Sequence, residues 1–315
     1  MLVKTKSTLH TLGARPKSII NTITGEKTDI VNISDIYMNN IDNSLLFLTG
    51  DYKLINSNKK ELISLNYDVV KITLSKVLFS NEGNYYQLLA IAKYNTMDCE
   101  CRITIYDVQT FIELNNFIIP MDGIEKLIFS DDGKTLAFCF TKLSIINLQT
   151  NEIIDIKDCQ QSIINKDFLI WNNNLLLHSS NYYITVFNRI TLENEYSFPF
   201  IGYIFKCFKL NNTLIVILWE DLAYTVKIFD INSYVELDSF PLHILRSKYD
   251  IDIFDMILSN DGNIYYSYEE NSPENFLIKY NLESKTSEII DNYNDEENTR
   301  IVQLKYLENY NNVLW

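Results

Sequence analysis

The stretch 127–154 reads as two β-hairpins in a row, and no other stretch constrains the fold as strongly. Leu127–Phe129 is an apolar run. Ser130-Asp131-Asp132-Gly133-Lys134 follows as a tight-turn signal, since Asp and Gly accept the backbone angles that a chain reversal demands. Thr135–Phe140 resumes as a strand. Leu143–Leu148 and Ile153–Ile156 then flank a second turn, Gln149-Thr150-Asn151-Glu152. Four short antiparallel strands make one small sheet.

That unit recurs. A polar residue after a short β-branched or aromatic run appears at Asn21, Asn56, Asp107, Asn147, Asn188, Asp230 and Asn281. The spacings run from about 35 to about 51 residues, in or near the range of propeller blades. After each anchor comes a turn and another apolar strand, such as Phe111–Phe117 or Tyr196–Phe198. First hairpins recur in step around Asn39–Asn43, Asn81–Asn84, Asp131–Lys134, Asn172–Asn174, Asn211-Asn212, Asn260–Asn263 and Asn309–Asn312. Both series count to seven. The chain therefore predicts an all-β, seven-bladed β-propeller of four-stranded antiparallel blades.

The ends complete the count. Residues 301–315 supply only a first hairpin and residues 17–31 only a second, so together they predict a closing blade shared between the N- and C-terminal segments. Such pairing removes two open sheet edges. No linker divides the chain, so residues 1–315 are expected to form one domain, with residues 1–16 as a basic N-terminal arm.

The segment Phe129-Ser130-Asp131-Asp132-Gly133-Lys134-Thr135-Leu136-Ala137-Phe138 resembles the hairpin motif of WD40-like propellers. Leu258–Asn263 and Phe79–Asn84 repeat it less closely. The chain has no Gly-His dipeptide and no Trp-Asp; Tyr106-Asp107 and Phe229-Asp230 stand where the latter would. The resemblance implies the architecture, without the family's His-centred hydrogen-bond network.

Composition narrows the function. The net charge of −14 argues against binding nucleic acid or an anionic membrane and favours a basic protein partner. The longest apolar run, Leu214–Trp219, is too short to span a bilayer. No signal peptide is legible, and the five cysteines read as free thiols in a reducing, cytoplasmic setting. The histidines His10, His178 and His243 fall in different repeats without metal-ligand spacing. Cys99-x-Cys101 lacks a second pair to complete a soft-metal site. Ser130–Gly133 departs from the sialidase Asp-box because Asp and Gly are adjacent. No phosphate-binding, nucleophile-elbow or metalloprotease motif occurs. No metal or cofactor is expected.

One constellation emerges once the strands are placed. Loops joining second to third strands, and one repeat to the next, share a face whose formal charges sum to about −11, against about −4 on the other. The expected binding set on that face is Glu220, Asp221, Tyr224, Glu269, Glu270, Glu274, Asp295, Glu296 and Glu297, with Tyr94, Tyr203 and Tyr249 interleaved. Carboxylates steer a cationic segment, and tyrosine faces hold guanidinium groups. The leading expectation is a non-enzymatic interaction module, monomeric alone, that docks a basic protein segment. The first alternative is a propeller hydrolase or lactonase with carboxylates at a central channel. The second is an inhibitor covering a basic protein. A competing role for Glu296 and Glu297 is an internal latch holding Lys4, Lys6, Arg15 and Lys17.

Overall fold

The computed structural model describes residues 2–8, 17–20, 27–30, 33–42, 44–49, 51–56, 60–65, 68–80, 83–95, 100–119, 124, 126–139, 142–156, 168–173, 175–179, 182–221, 223–242, 252–269, 274–294 and 299–306. Near both termini and in a few strand ends it describes the backbone alone.

Strands β1 (Leu2–Thr8), β2 (Lys17–Ile20) and β3 (Lys27–Ile30) share an antiparallel sheet with the last strand, β30 (Thr299–Tyr306), in the order β3-β2-β1-β30. The next sheet runs in chain order through β4 (Ile33–Met38), β5 (Leu45–Thr49), β6 (Lys53–Asn56) and β7 (Glu61–Ser64). A third contains β8 (Asp68–Leu74), β11 (Leu88–Asn95), β12 (Glu100–Asp107) and β13 (Glu113–Ile119); a small ribbon of β9 (Leu78–Phe79) and β10 (Tyr85–Tyr86) lies between β8 and β11 in sequence. The fourth has β14 (Lys126–Phe129), β15 (Thr135–Cys139), β16 (Leu143–Asn147) and β17 (Glu152–Asp155). The fifth has β18 (Phe168–Asn172), β19 (Leu175–Ser179), β20 (Tyr183–Asn188) and β21 (Asn194–Pro199). The sixth has β22 (Tyr203–Leu210), β23 (Thr213–Glu220), β24 (Ala223–Asp230) and β25 (Glu236–Pro241). The seventh has β26 (Asp252–Leu258), β27 (Asn263–Glu269), β28 (Glu274–Asn281) and β29 (Thr286–Asn294). Among the described residues the fold is all-β, a propeller-like set of four-stranded antiparallel sheets.

The chain forms two compact units, one from Met1–Met38, Asn43–Glu61 and Leu242–Trp315, the other from Asn39–Asp42 and Leu62–Pro241. In the second unit the period of two along each strand divides side chains between two cores. Leu136 and Phe138 of β15 pack with Ile103, Ile105 and Phe117 of the preceding sheet. Their neighbours Ala137 and Cys139 point the other way, onto Leu169, Trp171 and Leu176 of the next. Leu177 and Val186 turn from that core to meet Val216, Leu218 and Phe229. A second strand sandwiched in this way is apolar on both faces, which explains the unbroken runs in β15 and β23. Outer strands alternate instead; β25 buries only Phe240 fully.

The anchor residues have a direct physical role. Asp107 Oδ1 accepts from the amides of Gln109 and Thr110, Asn188 Oδ1 from Ile190 and Thr191, and Asp230 Oδ1 from Asn232 and Ser233. Four residues after the anchors Asp107, Asn147, Asn188 and Asp230 the amide returns to the anchor's carbonyl: Phe111 to Asp107, Asn151 to Asn147, Leu192 to Asn188 and Tyr234 to Asp230. The residue there takes a positive φ: Phe111 at 55°, Asn151 at 60°, Leu192 at 60°, Tyr234 at 60° and Lys285 at 54°. A short acceptor side chain is needed to cap this turn, so only Asn or Asp recurs at the anchor. The first-hairpin turns use a different device. Ser130 Oγ accepts from the Thr135 amide, and Ser259 Oγ from the Asn263 amide. Gly133 and Gly262 supply the left-handed step, at φ 66° and 78°.

Lys285 occupies a left-handed position with an ordinary side chain, whereas the equivalent Asn151 belongs to a type that tolerates it. Lys285→Asn is expected to stabilise the fold by about 0.5–1 kcal/mol, a rise in Tm of about 1–3 °C. A Tm that stays level or falls would mean that lost contacts of Lys285 outweigh the relief.

The sheet shared by the two ends of the chain differs from expectation in composition. Residues 2–8, expected to be an arm, form β1, which pairs with β2 on one side and β30 on the other. The split is thus three N-terminal strands with one C-terminal strand, rather than two and two. Lys4 and Lys6 conceal the strand because they interrupt the apolar run that marks doubly paired strands such as β15 and β23. The expected strand at 313–315 lies outside the described residues.

Candidate binding face

At one end of the fifth and sixth sheets three chain segments converge. The reversal between β23 and β24 is tight, with Glu220 paired to Ala223 and Asp221 at φ 49°. Glu220 is half-buried and Asp221 exposed, and neither takes part in an ion pair with a described residue. The connection from β21 to β22 runs through Phe200, Ile201 and Gly202. Its Phe200 amide donates to the carbonyl of Tyr182 at 2.8 Å, fixing it to the start of β20. Gly202 presses on the neighbouring reversal: a Cβ there would meet Glu220 Cβ and the Trp219 carbonyl oxygen at 2.7 Å each. Only glycine permits that approach.

The result is an exposed aromatic and apolar patch beside two carboxylates. The rings of Tyr182 and Tyr203 lie 4.7 Å apart, tilted by 38°. Their hydrogen bond raises the Tyr182 phenol above its ordinary value. Tyr203 is 45% exposed and Ile201 is 97% exposed. Tyr183 is also exposed.

The other expected residues are distributed differently. Tyr224 does not present a free face; it is 6% exposed, its ring packed on Trp219 at 4.6 Å and Phe205 at 5.1 Å. It follows Ala223 in β24, so alternation turns it into the sheet's packing instead of outward. Glu269 and Glu274 stand at the facing ends of β27 and β28, in the other unit, where the backbone pairs Glu269 with Asn275. Glu270, Asp295, Glu296 and Glu297 lie outside the described residues, as do Tyr249, Cys99, Cys159, His10 and His243. Tyr94 is half-buried.

The opposite strand ends in the same unit carry a compensated charge cluster. Asp131 receives Lys76 Nζ at 2.8 Å and Lys209 Nζ at 3.2 Å. Asp132 receives Arg189 at 2.8 Å and the Ser130 hydroxyl at 2.7 Å. Lys209 also donates to the Trp171 carbonyl at 2.8 Å, while Trp171 Nε1 donates to the Ile128 carbonyl. Four sheets contribute to this clasp. Burial pushes the Asp131 carboxyl up, but Lys76 and Lys209 outweigh it and hold it below the ordinary carboxylate range. Asp132 is held low in the same way, burial being overcome by Arg189, Ser130 and the Lys134 amide. By sequence alone these aspartates are turn residues. Their partners come from other repeats, so no local spacing announces them.

Cys101, Cys139 and Cys207 are buried thiols outside any disulfide. Burial pushes the Cys101 thiol up to about 11 and raises Cys207 as well. Among the described residues no group of three or more His, Cys, Asp or Glu side chains is placed to hold a metal, and no helix is long and apolar enough to cross a membrane.

No family model matches the chain, and no curated protein matches it. Solved structures do. The CNH domain of AfRom2 is 13% identical with a TM-score of 0.55, covering 87% of this chain and 94% of that one. A computationally designed protein, Ika8, is 12% identical with a TM-score of 0.62, covering 97% of this chain and 91% of that one. At such identities the likeness shows the fold alone, an all-β, propeller-like arrangement of antiparallel sheets.

Proposed function

We propose that the chain is a non-enzymatic protein-interaction module: a seven-bladed propeller, closed through the sheet β3-β2-β1-β30, whose acidic loop face docks a basic partner segment. The observation that carries this reading is the pair Glu220-Asp221. Asp131, Asp132, Asp155, Glu236 and Glu288 each have a lysine or arginine partner. Glu220 and Asp221, adjacent in the chain, have none among the described residues, and the connection that carries the exposed Tyr203 packs on Glu220 through Gly202. Two adjacent uncompensated carboxylates repel each other unless an external cation relieves them. The hydrolase alternative calls for carboxylates held above their ordinary range at a central channel; those with a resolved shift among the described residues, Asp51, Asp131, Asp132, Asp155 and Asp230, are all held low. Buried free thiols suit a reducing compartment such as the cytoplasm.

The test uses fluorescent lysine-rich and arginine-rich peptides. Binding is expected to weaken steeply between about 20 mM and about 300 mM salt, as screening shortens below about 10 Å. Glu220→Lys with Asp221→Lys is expected to lower affinity at least about tenfold. Unchanged affinity and salt dependence would refute the docking role.

A further inference from the structure

We infer that the patch at Tyr182, Ile201, Tyr203, Glu220 and Asp221 recognises one arginine beside a bulky apolar residue, in an extended segment of a partner protein. The inference rests on the docking reading above and gives it a chemical code.

Three features select this occupant. First, the charge is local. Asp221 stands exposed at the tip of a tight reversal, next to Glu220, with no cation paired to either among the described residues. Two neighbouring carboxylates suit a guanidinium, which donates from a planar fork, better than an ammonium. Second, the aromatic pair lies alongside. The connection that carries Tyr203 is fixed to Tyr182 by the Phe200 amide and to Glu220 by the close approach of Gly202. A guanidinium at the carboxylates can therefore also stack on an exposed tyrosine face, which ammonium does less well. Third, Ile201 is 97% exposed at the tip of a connection whose neighbours are anchored. An isoleucine so exposed adds nothing to the core, but offers an apolar contact one residue from the glycine hinge point. Aromatic and apolar anchors rimmed by charge are the usual arrangement of an interface hot spot.

The patch is also built to hold its shape. Tyr203 is paired in β22 with Trp219 of β23, and Trp219 in turn packs on the buried Tyr224. The exposed Tyr203 ring itself rests against Tyr182. Little ordering is needed on binding, so less affinity is lost to it.

The experiment compares blocked peptides of equal charge: one with Arg flanked by Leu, one with Lys in place of Arg, and one with Arg flanked by Ser. The Arg-Leu peptide is expected to bind about tenfold more tightly than either control, and to keep part of its affinity at high salt. Tyr203→Ala and Ile201→Ser are each expected to remove that preference. Ile201→Ser also covers the case in which Tyr203→Ala fails to fold, since so exposed a side chain supports no packing. Gly202→Ala is expected to cut affinity without deleting any contacting group. Equal binding of all three peptides, lost on reversing Glu220 and Asp221, would overturn the arginine–apolar code and leave the acidic docking reading standing. No binding of any basic peptide would overturn both.

Discussion

Deleting residues 302–315 is expected to make the protein aggregate and to abolish a single sharp unfolding transition. β30 pairs with β1 from Leu2↔Tyr306 to Thr8↔Thr299. The deletion removes the partners of Leu2, Val3, Lys4 and Thr5, and β1 becomes an open edge. Unpaired amides and carbonyls along such an edge are a template for another chain. β26 also lies against β30 within the same unit, so the loss reaches the neighbouring sheet. The expected destabilisation is of the order of a domain's whole stability, about 5–15 kcal/mol. Size-exclusion chromatography and calorimetry test it directly. A monomeric truncation with a single sharp transition and an unchanged Tm would show that the terminal strand is dispensable.

The repeat was legible because each turn type needs a particular chemistry. Asn147, Asn188 and Asp230 recur because the third turn of each sheet must be capped by a short side-chain acceptor. Gly133 and Gly262 recur because the first turn needs a left-handed residue. Local rules of this kind survive even where the repeats share little sequence. β1 was missed for the opposite reason. Residues 2–8 contain no turn signal, and Lys4 and Lys6 break the apolar run that announces doubly paired strands such as β15.

The proposed docking face was legible in its charges and in Tyr203. Glu220 and Asp221 stand at a reversal, because polar residues mark reversals. Ile201, two residues before Tyr203, was harder to find. Its connection is apolar, and the tightness there depends on Gly202 meeting Trp219 and Glu220 from a neighbouring hairpin. The Tyr182-Tyr203 pair joins two sheets, so neither residue's significance is visible from its own repeat. Tyr224 shows the converse error. Proximity in sequence to Glu220 suggested shared exposure, but alternation along β24 turns it inward.

Asp131→Asn is expected to destabilise the fold by about 1–3 kcal/mol near neutral pH, because two lysines lose one shared carboxylate. The side chains of Asp131 and Lys209 are 29% and 21% exposed, so solvent only partly replaces what is lost. Lys76 is 66% exposed, and Lys76→Met is expected to cost less than about 1 kcal/mol. Lys209→Met should cost more, since it also strips the donor from the Trp171 carbonyl. The pH dependence has a fixed sign. The folded-state pKa of Asp131 is lowered, as is that of Asp132. Each therefore contributes stability that is fully present above the unfolded value of about 3.9 and is lost as pH falls through the lower folded value. Wild-type stability should decline across that acid window, and Asp131→Asn should flatten the decline while lowering the plateau at pH 7. Denaturant titrations across this range measure both. An acid limb of unchanged slope, with a loss at pH 7 below about 0.5 kcal/mol, would show that solvent already screens the clasp. A coupling of about 1 kcal/mol or more between Asp131→Asn and Lys209→Met would instead place the energy in that ion pair, the contact through which the turn after β14 is tied to β22 two sheets away.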